Sequence, residues 1–395
     1  MTERTNALES VLTRAEAAGW AGADPYDGLL SSVGRFVIPF GSLPRLGVSQ
    51  GVLRSRVLRS VVRPHPSVNA KGLALFLGAA TRSRAILGDY RARALAGSLI
   101  GALKQRAMDH GGALGWGYPF PWQSRYFFAP IGTPNAVVTS TVAWQLLEAA
   151  DAFGDAEART LATRAAKFLT DGLNWSDAGG GALAVSYTPR DRSMVINVSG
   201  LVARVLARLG DTNRATRLLQ FIERSQDDAG GWAYSRESHG RWEDSFHTGF
   251  LLESLLDLRS WGLPVSERVL RSGFASYRRF FDEDGGARLY PSSQSLYDAH
   301  SAAQGMVTYA AAARAVNGES LAQTNPEVAA NRISGWSLRR LWISEKGSFA
   351  YRCTPKGRDE IDYSRWVQAW MAFGLATVMA LERRESGEPM VEQSA

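Results

Sequence analysis

The run QDDAGGWAYSRESHGRWEDSFHTGFLLESLLDL, from Gln226 to Leu258, holds one whole structural repeat. A helix ends at Gln226-Asp227-Asp228, and Gly230-Gly231 offers the positive φ angles that a tight reversal needs. The aromatic piece Trp232-Ala233-Tyr234 crosses the turn, and a polar loop follows. Asp244 then caps a new helix by accepting from the free N–H groups of its first turn. That helix runs apolar through Phe250, Leu251, Leu255 and Leu256.

The same unit recurs along the chain. Gly111-Gly112 leads to Trp116-Gly117-Tyr118 and a helix near Pro134-Asn135. Gly179-Gly180-Gly181 leads to Tyr187 and a helix around Asn197. Gly285-Gly286 leads to Tyr290-Pro291, then Asp298-Ala299-His300. Lys346-Gly347 leads to Phe349-Ala350-Tyr351, then Asp362-Tyr363-Ser364-Arg365. Glycine turns at a period of roughly 50 to 70 residues belong to stacked helical hairpins, each covering its neighbour's apolar face.

Between the turns two helix types alternate. Those over 157–172, 213–225, 266–281 and 327–342 have mixed polarity and many arginines. Those over 136–153, 198–209, 247–258, 301–316 and 365–382 are apolar and rich in small residues. A helix surrounded by others is apolar nearly all round. The expected fold is therefore all-α: an (α/α) toroid of about five to six hairpins over residues 69–385, with two further helical patterns at 71–85 and 90–108. Residues 1–68 form a lead-in of one amphipathic helix (Leu8, Val11, Leu12 and Ala15 on one face) and irregular chain broken by Pro39, Gly41, Pro44 and Gly47. Residues 386–395 read as a disordered tail.

With 45% hydrophobic residues, the 395-residue chain can bury a large core. Its net charge of +7 favours an anionic substrate or surface. Arg54, Arg56, Arg59 and Arg63 read either as a solvated helix face or as a dock for phosphates or acidic sugars. No dense basic run of the nucleic-acid kind is present. The single Cys353 leaves no intramolecular disulfide, and no apolar run is long enough to span a bilayer. A cytoplasmic protein, working in solution or at a membrane periphery, is expected; its oligomeric state is left open.

The Gln226–Tyr234 copy resembles the QW-type repeat of terpenoid cyclase and protein prenyltransferase toroids, in which Gln precedes a glycine turn and an aromatic. The helix start Ser301-Ala302-Ala303-Gln304-Gly305 is similar to a stretch of glucuronyl C5-epimerases, and bacterial toroid proteins of polysaccharide gene clusters share the general look. As an architecture the resemblance covers roughly residues 90–382. It implies a toroid and either sugar or isoprenoid chemistry. Fold alone does not choose between them.

The N-terminal ends of the inner helices gather where the loops gather, at one mouth. Asp244 with His247, Asp298 with His300, and Asp362 with Arg365 recur there and are the candidates for chemistry. Asp is a good cap by itself, but capping needs no histidine. Trp116, Tyr118, Trp122, Arg125, Asn135, Trp232, Trp242, Tyr290, Tyr297, Tyr363 and Trp366 are the candidates for substrate binding. Tyr126, Phe127 and Phe128 enrich the same aromatic loop, and His110 and His239 precede such helices.

Three functions follow. One is acid/base chemistry on a saccharide or lipid-linked saccharide, of the hydrolase, lyase or epimerase type. A second is isoprenoid transfer or cyclisation, although Asp282-Glu283-Asp284-Gly285 departs from the Asp-x-Asp-Asp pattern of class II cyclases. The third is a carbohydrate-binding scaffold without turnover. No cofactor is required. Zn2+ held by His247, His300 and Asp298, a two-His-one-carboxylate set that Cys353 of the adjacent repeat could join, is the alternative, although the thiolate of the prenyltransferase zinc pair is missing.

Overall fold

A computed structural model describes residues 2–385 apart from Tyr126 and Gln294. The expected tail, the Tyr126 ring and the His239 side chain lie outside the described residues. The ring helices are α1 (Glu3–Ala17), α2 (Ala70–Arg82), α3 (Asp89–Gln105), α4 (Ala136–Phe153), α5 (Ala156–Asp171), α6 (Ile196–Arg208), α7 (Thr212–Arg224), α8 (Ser245–Ser260), α9 (Glu267–Tyr277), α10 (Ala299–Arg314), α11 (Pro326–Arg340) and α12. The last of these opens as a π-helical turn, Ser364–Ala369, and runs on as Trp370–Glu385.

Even-numbered helices form the inner layer. Each packs on the next, and α12 packs on α2 to close the ring. Odd-numbered helices form the outer layer. The chain is an (α/α) toroid, as its residues dictate. Inner α2 is buried from Ala70 through Thr81, whereas outer α7 buries one stripe of Ala215, Leu218, Leu219, Phe221 and Ile222. Apolar burial at about 25 cal/mol per Å² rewards that division. Helix α1, grouped with the lead-in on sequence, packs on α12 and on strand Ser348–Phe349. It supplies Ala7, Leu8, Val11 and Leu12 to the common core.

One contact stitches repeat to repeat at the mouth. The first free N–H of an inner helix donates to a loop carbonyl of the following repeat: Ala136 to Tyr187, Ile196 to Tyr234, Ser245 to Leu289 and Ala299 to Tyr351, at 2.8–3.1 Å. Ser364 donates to the Ala23 carbonyl at 3.0 Å, so the N-terminal segment completes the circle. These bonds satisfy helix-terminal donors that would otherwise be orphaned, and they fix each loop over its neighbour.

Candidate active site

The aromatic turn residues divide into two sets. Trp116 and Trp232 do not reach the mouth. Both are buried, and each indole N–H donates to an outer-helix carbonyl, Leu103 at 2.8 Å and Ile222 at 3.0 Å. Gln226 Nε2 likewise donates to Gly230 O and Val269 O. The QW-like residues are thus structural fasteners between repeats, and the structure gives them no part in a binding surface.

The second set surrounds the mouth. Trp122 packs edge-on to Tyr118 and Phe127 at 5.4–5.5 Å and against Tyr187 at 5.1 Å. The Tyr118 and Tyr187 hydroxyls are 2.9 Å apart. Tyr26 bridges this wall to Trp366, its ring 5.3 Å from the indole. On the opposite side Tyr234 stacks on Trp242 at 4.6 Å, and the Arg125 guanidinium lies 4.8 Å from the Trp242 ring. Tyr290 is exposed nearby, and its partial burial raises its hydroxyl pKa, so the phenol stays protonated.

Between the walls stands His247. Asp244 caps α8 through Oδ1, which accepts from His247 N at 3.0 Å. Its Oδ2 accepts from Trp242 Nε1 at 3.2 Å and from His247 Nδ1 at 2.7 Å. With the carboxylate as acceptor, Nδ1 carries the proton and Nε2 is left as a base. The His247 side chain is 23% exposed, and among the described residues Nε2 has no partner. The dyad is an oriented, partly exposed imidazole, the arrangement that general-base catalysis needs.

His300 stands differently. Its ring is buried between Phe246 (4.4 Å, nearly parallel), Trp370 (4.6 Å) and the edge of Trp366 (4.5 Å). Among the described residues neither nitrogen has a hydrogen-bond partner. Burial first, then the charges of Lys71 and Arg365, holds its pKa well below the ordinary imidazole range, so it is neutral. Only 1% of His300 is exposed.

The other polar sequence candidates are each held by a protein partner. Asp298 is buried, caps α10 at His300 N and Ser301 N, and accepts from Arg352 Nε at 3.0 Å. Asp362 lies on the outside, half-exposed and paired with Arg14 of α1 at 2.9 Å. Asn135 caps α4 at Val138 N. Tyr297 donates to Asp282 Oδ2 and packs on Trp336 of α11. Tyr363 is buried under the Arg59 guanidinium and against Tyr351. Arg365 is buried and bidentate to Asp24, at 2.6 and 2.8 Å.

Several site residues escaped the sequence reading. Asp24-Pro25-Tyr26-Asp27 pairs Asp24 with Arg365 and Asp27 with Arg59 (2.7 and 3.0 Å), which aims Tyr26 at Trp366. The signal was two acids around a tyrosine in a stretch otherwise read as irregular. Lys71 is the other. It lies in the apolar run of α2, with Nζ 5.1 Å from the Phe250 ring and 5.3 Å from the Trp370 ring. Burial, then the Arg365 charge, lowers its pKa to about 7. It borders a lumen cavity under the basin, shared with Ser140, Trp144 and Arg204.

Of the residues weighed for zinc, Asp298 has both oxygens occupied and Cys353 is buried beside Arg340. Among the described residues, no three His, Cys, Asp or Glu side chains gather as ligands.

No family model matches the chain, and no curated protein sequence does. Solved structures do. A family 76 α-mannanase of Bacteroides thetaiotaomicron aligns with TM-score 0.63 at 12% identity, over 82% of this chain and 89% of that one. Cellobiose 2-epimerase of Bacillus thermoamylovorans aligns with TM-score 0.59 at 12% identity, over 81% and 90%. A D-mannose isomerase aligns with TM-score 0.57 at 11% identity, over 80% and 86%. The shared property is the fold. These structures are carbohydrate-active toroids, and the likeness to terpenoid cyclases gains no support from them.

Proposed function

We propose that the chain is an enzyme that moves a proton on a saccharide bound in the aromatic basin. The Asp244–His247 dyad, its ring beside Tyr234 and Phe246 and its Nε2 without a partner among the described residues, is the observation that carries this reading. Similarity of fold to sugar epimerases, an isomerase and an α-mannanase supports the substrate class.

The carboxylates favour proton transfer over hydrolysis. Hydrolysis of a glycosidic bond uses two carboxyl groups flanking it. At this mouth Asp24 is held by Arg365, Asp298 by Arg352 and Asp244 by His247, so none of the three is free to flank a bond. In the proposed step, His247 Nε2 takes a proton from a carbon next to a carbonyl or uronate carboxylate. The electron pair moves onto that oxygen, and Asp244 stabilises the imidazolium. Arg352, partly exposed beside the basin, offsets the developing negative charge. Tyr290, protonated at neutral pH, gives a proton to the opposite face and is reprotonated from water, as His247 releases its proton to water. The net result is epimerisation, with no bond to another sugar broken.

The test is incubation in D2O with uronate-containing and reducing neutral oligosaccharides, followed by NMR. Deuterium is expected at the carbon beside the carbonyl or carboxylate, and to vanish in His247→Ala. New reducing ends without deuterium uptake would replace this reading with hydrolysis. Saturable binding with neither outcome would make the chain a carbohydrate-binding scaffold.

A further inference from the structure

Between α1 and α2 the chain builds a surface that the saccharide site does not use. Helices Ser32–Val37, Ser42–Arg54 and Arg56–Val62 pack on one another, with a 3₁₀ turn at Ile38–Phe40. Phe36, Phe40, Leu43, Val57 and Val61 are 60% to 81% exposed, and the Phe36 and Phe40 rings lie 5.3 Å apart. Elsewhere, exposed large apolar residues such as Tyr90, Trp261 and Val316 are far apart in the sequence. Scattered ones need no explanation, whereas a cluster marks an interaction surface.

The charge around the cluster has one sign. No Asp or Glu occurs from Gly28 to Gly88. Arg35, Arg45 and Arg63 donate only to backbone carbonyls, of Leu30, Gly41 and Ser60, and have no carboxylate partner among the described residues. By contrast, Arg56 and Arg59 are neutralised by Asp359 and Asp27. Exposed apolar side chains on the same short helices as guanidinium groups without carboxylate partners match the acyl boundary and headgroups of an acidic lipid surface. A second copy of the chain would set these arginines against their own kind, which opposes self-association.

We propose that this face docks on an anionic lipid bilayer. Contact is interfacial, since among the described residues no helix is long and apolar enough to cross a membrane. The face adjoins the basin: Arg45 stacks on Phe128 at 4.0 Å, and strand Phe128–Ala129 pairs with Trp122–Gln123. Docking therefore brings the mouth near the headgroups. A saccharide carried on a lipid would reach it there, a consequence that rests on the saccharide reading above.

The test is flotation of the full chain with phosphatidylcholine vesicles, with and without about 30% phosphatidylglycerol, at low salt. The chain is expected to float with the acidic vesicles only. Phe36→Ser/Phe40→Ser/Leu43→Ser should weaken binding at least about tenfold at unchanged Tm, since these side chains bury little in the fold. Arg35→Gln/Arg45→Gln/Arg63→Gln should weaken it and flatten its salt dependence. A second readout needs no loss of function. In Leu43→Cys the introduced thiol is the one accessible site, Cys353 being buried, and a polarity-sensitive dye there should shift to the blue with acidic vesicles. Wild-type protein that fails to float, or a triple serine variant that floats as well as wild type, overturns the proposal. So does a lipid-free dimer that the serine variant abolishes, which would make the face a protein interface.

Discussion

At the scale of single residues, the site depends on what Asp244 does with two oxygens. One holds the start of α8 and the other holds the imidazole, so the same carboxylate builds the helix and orients the base. Asp244→Asn keeps an oxygen for the cap but cannot hold both the Nδ1–H tautomer and the imidazolium. On the sugar identified by deuterium exchange, kcat should fall roughly 10²- to 10⁴-fold with KM little changed. A change confined to KM would mean that the dyad binds rather than reacts. Lys71 makes a separate prediction, in stability. Below about pH 7 folded and unfolded chains both carry its proton, and the folded chain bears the full cost of a buried ammonium. Between about 7 and the ordinary lysine value near 10.5 the folded chain has released the proton and the unfolded chain has not, so that cost fades as pH rises. Lys71→Met should therefore be more stable than wild type at pH 6, by on the order of 4 kcal/mol, and the gap should close towards pH 10. Urea unfolding at the two pH values measures it. An unchanged gap would show that Lys71 is paired in solution.

At the scale of elements, the hairpin turn is the repeated part, and its glycines are held by space as well as by φ. Gly230 has φ +83°, and a Cβ there would meet Ser272 O of α9 at 2.3 Å. Gly285, one repeat on, has φ +97° and would meet Arg332 O of α11 at 2.4 Å. The following tryptophan fastens the turn. Trp232→Ala should cost about 3–5 kcal/mol in urea unfolding and leave sugar affinity per folded molecule intact. Lost affinity at full folding would return Trp232 to the binding surface. These turns are legible in the sequence because glycine pairs, aromatics and the 3.6 period recur together. The positions of Asp244 and His247 are legible because a cap and a histidine share one helix start. Which aromatics face inwards is not, since Trp232 and Trp242 differ only by the loop that places them. Asp362 misleads for the same kind of reason. Asp244 and Asp298 cap their helices, but α12 opens as a π turn after Tyr363 without a side-chain cap, leaving Asp362 free to face Arg14. Asp24 and Lys71 stay hidden because their partners lie far along the chain.

At the scale of the whole molecule, a toroid must close, and here the closing wall is made from both ends of the chain. Helix α1 packs on α12, Arg4 pairs with Glu382, and Ala23 accepts from Ser364. At the mouth the closure is electrostatic: Asp24 and Arg365, both buried, meet across 341 positions of sequence. Such a contact rewards the chain only after a long loop has been ordered, so it belongs to the finished ring rather than to any one hairpin. A buried ion pair is costly to break from one side, because the survivor keeps its charge without a partner. Asp24→Leu and Arg365→Met should each lose about 3–5 kcal/mol, and the double variant distinctly less than the sum. Urea unfolding of the four proteins gives the coupling. The basin supplies an independent reading, since Tyr26 reaches Trp366 only while Asp24 anchors its loop; each single variant should weaken sugar binding along with stability. Additive losses with unaltered binding would mean that the ring closes through α1 and α12 alone, and that the Asp24 loop merely rests on it.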